Sequence, residues 1–444
     1  MFIGGRRVLS ILFLFVLVLS SIGFDEEEGL HFPLSRFKLR NGLEVVLSED
    51  DSLPIVSVVV AYGAGSIYEE PGKTGLAYLL ENMMFQGSVN IGPMQHISYI
   101  DKVGGVPNAS TTEDIVYFYQ TLPANQLALA LWLESDRMRY LEINPAKVEE
   151  IKTSLVEEIR QRCSAEPYLE SFWAFDRLLY PGFAHSHPVI GREEDIRRLS
   201  AEDVRDFYET FYVPNNAVLC IVGNINLDRT KELVEKYFGS IPPGKVLPLF
   251  LPPRPPEKKA RAESFHQPLA ASPAFHLGFR TAAPYTQDFY ALTLLDYILL
   301  KGKTSRLYRK IITRENLAIY LSGGLEKRKD AAVLKIFAVT NNETMVEICQ
   351  KAIFSELQKL RTGFVSDSEL EKAKNLFRRD YFRRFSTTAD KALFLAEMYF
   401  SPIGLDNAAA ELKRYLRVTP FELNAVAGRY LIPENSVILN VRTR

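Results

Sequence analysis

From Ile55 to Tyr62 the chain is a β-branched apolar run, the pattern of a strand buried on both faces. Ahead of it, Phe37 to Leu47 alternates around Asn41-Gly42, the dipeptide of a tight hairpin. Behind it, Leu76, Leu79, Leu80 and Met83 recur at helical spacing, which predicts a helix with Thr74 as its N-cap. Further strands are expected at Ile115–Gln120 and Val218–Val222, with long helical patterns between them.

These patterns occur twice. Leu79-Leu80-Glu81-Asn82-Met83-Met84-Phe85-Gln86-Gly87 is echoed by Leu294-Leu295-Asp296-Tyr297-Ile298-Leu299-Leu300-Lys301-Gly302. Val213-Pro214-Asn215-Asn216-Ala217-Val218-Leu219 is echoed by Ile432-Pro433-Glu434-Asn435-Ser436-Val437-Ile438. The two echoes stay nearly in register along the chain, so two α+β domains of one design are expected. Between them lies a proline-rich stretch, Pro242 through Pro256, read as a semi-rigid linker. The expected units are residues 30–244, a linker at 245–262, and residues 263–444.

The N-terminus reads differently. Arg6 and Arg7 precede the apolar run Val8–Leu19, and the small residues Ser20, Ser21 and Gly23 follow. This is the layout of a secretory signal over residues 1–23, cleaved before Phe24, and implies secretion or a periplasmic location. The alternative is an uncleaved N-terminal membrane anchor. No other stretch is apolar for long enough to span a bilayer. The formal net charge of −1 lacks the basic excess of a nucleic-acid binder. Three widely spaced cysteines, Cys163, Cys220 and Cys349, exclude a disulfide-stapled fold, and Cys220 reads as a core residue.

Several blocks carry a family resemblance. They are Gly75–Ser88; Gly104-Gly105-Val106-Pro107-Asn108-Ala109-Ser110-Thr111 with Asp114 and Tyr117; and Leu155–Ile159. Tyr180–Gly182 with His187–Gly191, Tyr212–Ala217, and Ser305–Tyr308 complete the set. In this order the chain resembles the insulinase/pitrilysin (M16) zinc peptidases, in particular their short bacterial branch, in which two chains pair into a clamshell. The resemblance implies two α/β-roll domains and a His-x-x-Glu-His zinc helix.

The resemblance also implies what has changed. In active members two histidines and a downstream glutamate hold zinc, and the glutamate between the histidines is the general base. Carried over, the general-base place is Glu81, the third-ligand place is Glu158, and the two histidine places hold Tyr78 and Asn82. A phenol and a carboxamide are poor replacements for imidazole, so no cofactor is expected where active relatives use zinc. The Arg and Tyr that grip substrate in active members align with Ile312 and Ile319, with Arg314 and Tyr320 close by. His185 and His187 are expected to be structural and His96 exposed. Gly105, Asn108, Ala109 and Ser110 resemble the strand that pairs with substrate backbone, although a purely structural role explains them equally well.

Three functions follow from these residues. The first is a catalytically inactive subunit that pairs with an active His-x-x-Glu-His chain, or with itself, and helps bind extended polypeptide. The second is a structural scaffold without peptide binding. The third is a metallopeptidase with non-standard ligands.

Overall fold

The computed structural model describes residues 34–180, 182–248, 250 and 258–443. The signal reading at 1–23 and the prolines at 252, 253, 255 and 256 lie outside the described residues.

Eleven strands are described: β1 (Leu34–Lys38), β2 (Glu44–Glu49), β3 (Ile55–Tyr62), β4 (Val106–Thr111), β5 (Val116–Pro123), β6 (Ala217–Gly223), β7 (Arg261–His266), β8 (Ala274–Arg280), β9 (Tyr320–Lys327), β10 (Ala332–Val339) and β11 (Ser436–Arg442). They form a six-stranded sheet, β1-β2-β6-β3-β5-β4, and a five-stranded one, β7-β11-β8-β10-β9. β1 and β2 form the hairpin expected around Asn41-Gly42, and Gly42 sits at φ 94°. β3 lies between β5 and β6, so neither edge nor face meets water, and its residues from Val56 onward are buried.

The two sheets repeat one plan. In the first, β2 and β6 are parallel and β6, β3, β5 and β4 antiparallel; in the second, β7 and β11 are parallel and β11, β8, β10 and β9 antiparallel. Equivalent asparagines make equivalent bonds. Asn216 Nδ2 donates to Gly63 O at 3.1 Å and Phe211 O at 2.8 Å. Asn435 Nδ2 donates to Arg280 O at 2.8 Å and Tyr430 O at 2.7 Å. Each joins the end of a helix to the end of a central strand.

One face of each sheet is covered by helices of its own half and the other by a helix from the opposite half. The Leu169–Leu179 helix lays Ala174, Phe175 and Leu179 against Val333, Val437 and Leu439 of the second sheet. Gly278 in β8 makes room for it: a Cβ there would lie 2.8 Å from Phe175 Cζ. In return, the Thr388–Phe400 helix packs Leu395, Ala396 and Met398 against Val46, Val59, Val218 and Cys220 of the first sheet. No helix among the described residues is long and apolar enough to cross a membrane.

Two local expectations are corrected. Thr74 does not cap the following helix; its hydroxyl donates to Asp195 Oδ2 at 2.6 Å, and the N-cap is Gly75 at φ 93°. His96 is buried, not exposed, with Nε2 3.2 Å from Gln120 Oε1 and its ring against Phe85.

Candidate functional site

The site is built on the Leu76–Met83 helix. Leu76, Leu79, Leu80 and Met83 are buried in the first core, which fixes the helix rotation and leaves Tyr78, Glu81 and Asn82 partly exposed. Its N-terminus is held from outside the helix. The Glu69 carboxylate accepts from Gly75 N at 2.8 Å and Ala77 N at 2.9 Å. That satisfies two of the donors every helix start leaves open. Glu69 is only 5% exposed, and burial pushes its carboxyl up to about 8 despite these bonds. His187 Nδ1 lies 3.6 Å from the same carboxylate, and burial pulls the imidazole down to about 4, so it is neutral. Gly191 packs so closely on this end that a Cβ there would lie 2.5 Å from Gly75 Cα. The histidine-proline block after residue 186 therefore serves to seat the site helix.

Facing this helix is Pro145–Ala165, started by Asn144, whose side chain accepts from Lys147 N, with proline in its first turn. It carries Glu158 over Tyr78. The Tyr78 hydroxyl donates to Glu158 Oε1 at 3.1 Å and stands 3.4 Å from Oε2. Burial, then the Glu158 charge, pushes the phenol up to about 12. Asn82 Nδ2 donates to Tyr78 O at 2.9 Å, turning back onto its own helix. Glu81 Oε2 accepts from Thr111 Oγ1 at 2.5 Å, and the Thr111 backbone N–H faces the same carboxylate. Burial raises the Glu81 carboxyl above its ordinary range.

The structure thus brings Tyr78, Glu81, Asn82, Glu158 and Thr111 together. The Thr111 contact with Glu81 was not foreseen, since it depends on where β4 runs rather than on a motif. These residues do not fit zinc. A phenol at about 12 keeps its proton at neutral pH and spends it on Glu158, the carboxylate expected to bind metal. Asn82 is committed to its own backbone. Among the described residues, no group of three His, Cys, Asp or Glu is placed to share a metal ion.

Among the described residues β4 is one of the two edge strands of the first sheet, the other being β1. Its outward donors are already occupied or absent: Pro107 has none, Ala109 N donates to Asn108 Oδ1 at 2.8 Å, and the Thr111 N–H faces Glu81. Gly105 has a packing reason of its own, because a Cβ there would lie 2.7 Å from Ile100 Cγ2. Ser110 is exposed beside a cavity of about 310 Å³ also lined by Tyr117, Tyr119, Arg384 and Glu397. In the second half, Ile312 packs on the core within a π-helical turn, while Ile319 and Tyr320 are 54% and 53% exposed at the start of β9.

Comparison with known proteins adds to this geometry. Residues 44–181 match the family model described as Insulinase (Peptidase family M16), and residues 198–377 match that described as Peptidase M16 inactive domain. A zinc protease of Helicobacter pylori, PqqE, is 28% identical over 396 residues, covering 88% of this chain and 89% of its own. The crystal structure of a protease from Helicobacter pylori superposes with a TM-score of 0.88 at 26% identity, covering 93% of this chain and 100% of that one. The periplasmic protease PqqL of Escherichia coli superposes with a TM-score of 0.74 at 18% identity, covering 94% of this chain and 48% of that one.

Proposed function

Because the chain belongs to the insulinase-type M16 peptidase family, we propose that it is a catalytically silent member that binds extended polypeptide and pairs with another M16 chain. The observation that carries this reading is the Tyr78–Glu158 hydrogen bond. It joins the two helices that a shared metal would otherwise link, and it leaves Glu81 without a metal-polarised water to act on. Ordinary water has a pKa of about 15.7, far beyond what one carboxylate deprotonates at a useful rate. The bound polypeptide lies along β4, an edge that needs no metal and whose Ala109 N–H becomes available once the Asn108 side chain is displaced. The signal-like N-terminus and the likeness to a periplasmic protease support a secreted or periplasmic location.

Metal analysis and peptide turnover test the proposal together. The purified chain is expected to hold no stoichiometric zinc and to cleave no unstructured peptide. Replacing Tyr78→His and Asn82→His together is expected to bring in about one zinc per chain, since Glu158, the third-ligand place, is already there. One tightly held zinc in the unaltered chain, lost on Glu158→Ala together with peptidase activity, overturns it. Binding of a fluorescent unstructured peptide separates the subunit from a bare scaffold.

A further inference from the structure

The two faces of β4 look onto different halves of the chain. Ala109 and Thr111 turn toward the site helix, where Ala109 packs on the first core and Thr111 reaches Glu81. Asn108 and Ser110 turn the other way, beside their cross-strand partners Tyr119 and Tyr117 of β5. Both tyrosines belong to the face that the Thr388–Phe400 helix of the second half covers.

That helix packs on the middle of the sheet and leaves, toward β4, the cavity of about 310 Å³. Its sheet wall is Ser110, Tyr117 and Tyr119, and the facing wall carries Arg384, Asp390 and Glu397. Two of those three charges are spent on each other. The Arg384 guanidinium pairs with Glu397 and lies 4.7 Å from the centre of the Phe394 ring. Glu397 also accepts from Lys327 Nζ at 2.5 Å and stands 3.4 Å from the Tyr285 hydroxyl.

Asp390 is different. Its Oδ2 accepts from Thr387 Oγ1 at 2.8 Å at the start of the helix, and among the described residues no cation pairs with it. Burial, then the Glu81 and Asp390 charges, raises the Tyr119 phenol above its ordinary range, which puts Asp390 within electrostatic reach of that ring. A carboxylate without a cation, facing two phenol rings, is a receptor for positive charge. A lysine or arginine can lay its aliphatic stem along such rings and set its charged end on the carboxylate. An acidic side chain would meet Asp390 and Glu397, with Arg384 already engaged. A strand added to β4 continues the alternation of the sheet, so the residue opposite Ser110 sends its side chain to the mouth of this cavity.

We propose that the cavity is the side-chain pocket of the polypeptide edge on β4 and selects a lysine or arginine, whose charge rests on Asp390 beside Tyr117 and Tyr119. This rests on the reading of β4 as the peptide edge and adds the class of polypeptide, an extended segment carrying a basic residue. The first half supplies the main-chain edge and the second half supplies the choice.

Fluorescence anisotropy of the full chain tests it, with labelled nonapeptides of Ser, Thr and Val, blocked at both ends, that differ only in a central Lys, Arg, norleucine or Glu. The Lys and Arg peptides are expected to bind about five- to tenfold tighter than the norleucine peptide, which keeps the stem without the charge, and the Glu peptide more weakly than any. Asp390→Asn, which keeps an acceptor for Thr387, should bring the Lys and norleucine peptides to within about twofold of each other. Ser110→Lys, at the exposed mouth, gives a second reading from a different element and should cut the Lys preference to the same extent. Equal binding of all four peptides overturns the pocket and leaves β4 as the peptide edge. So does a Lys preference that survives both substitutions in folded protein. Binding of none overturns the peptide reading itself, and the pocket with it.

Discussion

At the scale of single residues, the site is governed by hydroxyls and carboxyls where imidazoles would hold metal. Removing the Tyr78 hydroxyl with Tyr78→Phe should cost about 1 kcal/mol, the net value of one such bond with Glu158 left wanting a donor. The check is the denaturant midpoint; an unchanged midpoint would mean that water replaces the phenol without loss. Glu69 offers a sharper test because its carboxyl is raised from 4.5 to about 8 by burial. Between those values the folded chain holds a proton that the unfolded chain has released. Stability from this group is therefore fully present below about pH 4.5 and declines as pH rises toward about 8. Glu69→Gln removes that titration, so its stability should fall less than the parent's between pH 5 and 8, while its absolute value drops because an amide nitrogen cannot accept from the helix start. Parallel pH profiles for the two would sink this account.

At the scale of elements, the β4 edge decides whether polypeptide binds. The Ala109 N–H is occupied by the exposed side chain of Asn108, an acceptor that an incoming strand must displace. Asn108→Ala should thus tighten binding of an unstructured peptide several-fold, by roughly the value of the competing bond. Fluorescence anisotropy reads this directly, and weaker binding would show that Asn108 itself touches the ligand. The elements also show how far local pattern reaches. β3 and the Asn41-Gly42 hairpin were legible because alternation, β-branching and turn chemistry are local causes. The matching of Leu79–Gly87 with Leu294–Gly302 was legible as a repeat, and the like-ordered sheets are its structural form. Thr74 misled because a threonine before a helix is a good cap only when no buried carboxylate arrives from elsewhere, and Glu69 does. His96 misled because its burial comes from Gln120 on β5 and from Phe85, contacts that no nearby residue announces. Tyr78, Asn82 and Glu158 were singled out from the motif, but the Tyr78–Glu158 hydrogen bond depends on how two helices cross, which no local pattern announces.

At the scale of the whole molecule, the reciprocal helices make the two halves depend on each other. The Thr388–Phe400 helix belongs by sequence to the second half, yet its apolar side completes the core on the outer face of the first sheet. Without it, Val59, Val218 and Cys220 would face water, at about 1.5–3 kcal/mol for a large apolar side chain exposed. Polar contacts follow the same route: Thr388 Oγ1 lies 2.7 Å from Ser57 Oγ in β3, and Lys391 pairs with Asp50. Returning contacts run through the turn after β9, where Arg328 Nη2 lies 3.3 Å from Glu113 and Asp330 Oδ1 lies 2.5 Å from His185 Nε2. Neither sheet can lose its borrowed helix without exposing a buried face, so opening one half must loosen the other. Leu395→Ala, at a buried position of the exchanged helix, should cost about 2–5 kcal/mol. The diagnostic is where that loss appears. Hydrogen exchange should quicken in β3 and β6, far from residue 395 in sequence, together with the Thr388–Phe400 helix, and unfolding should remain one transition. Two separated transitions, with β3 and β6 as protected as before, would mean that the halves are independent bodies that merely touch.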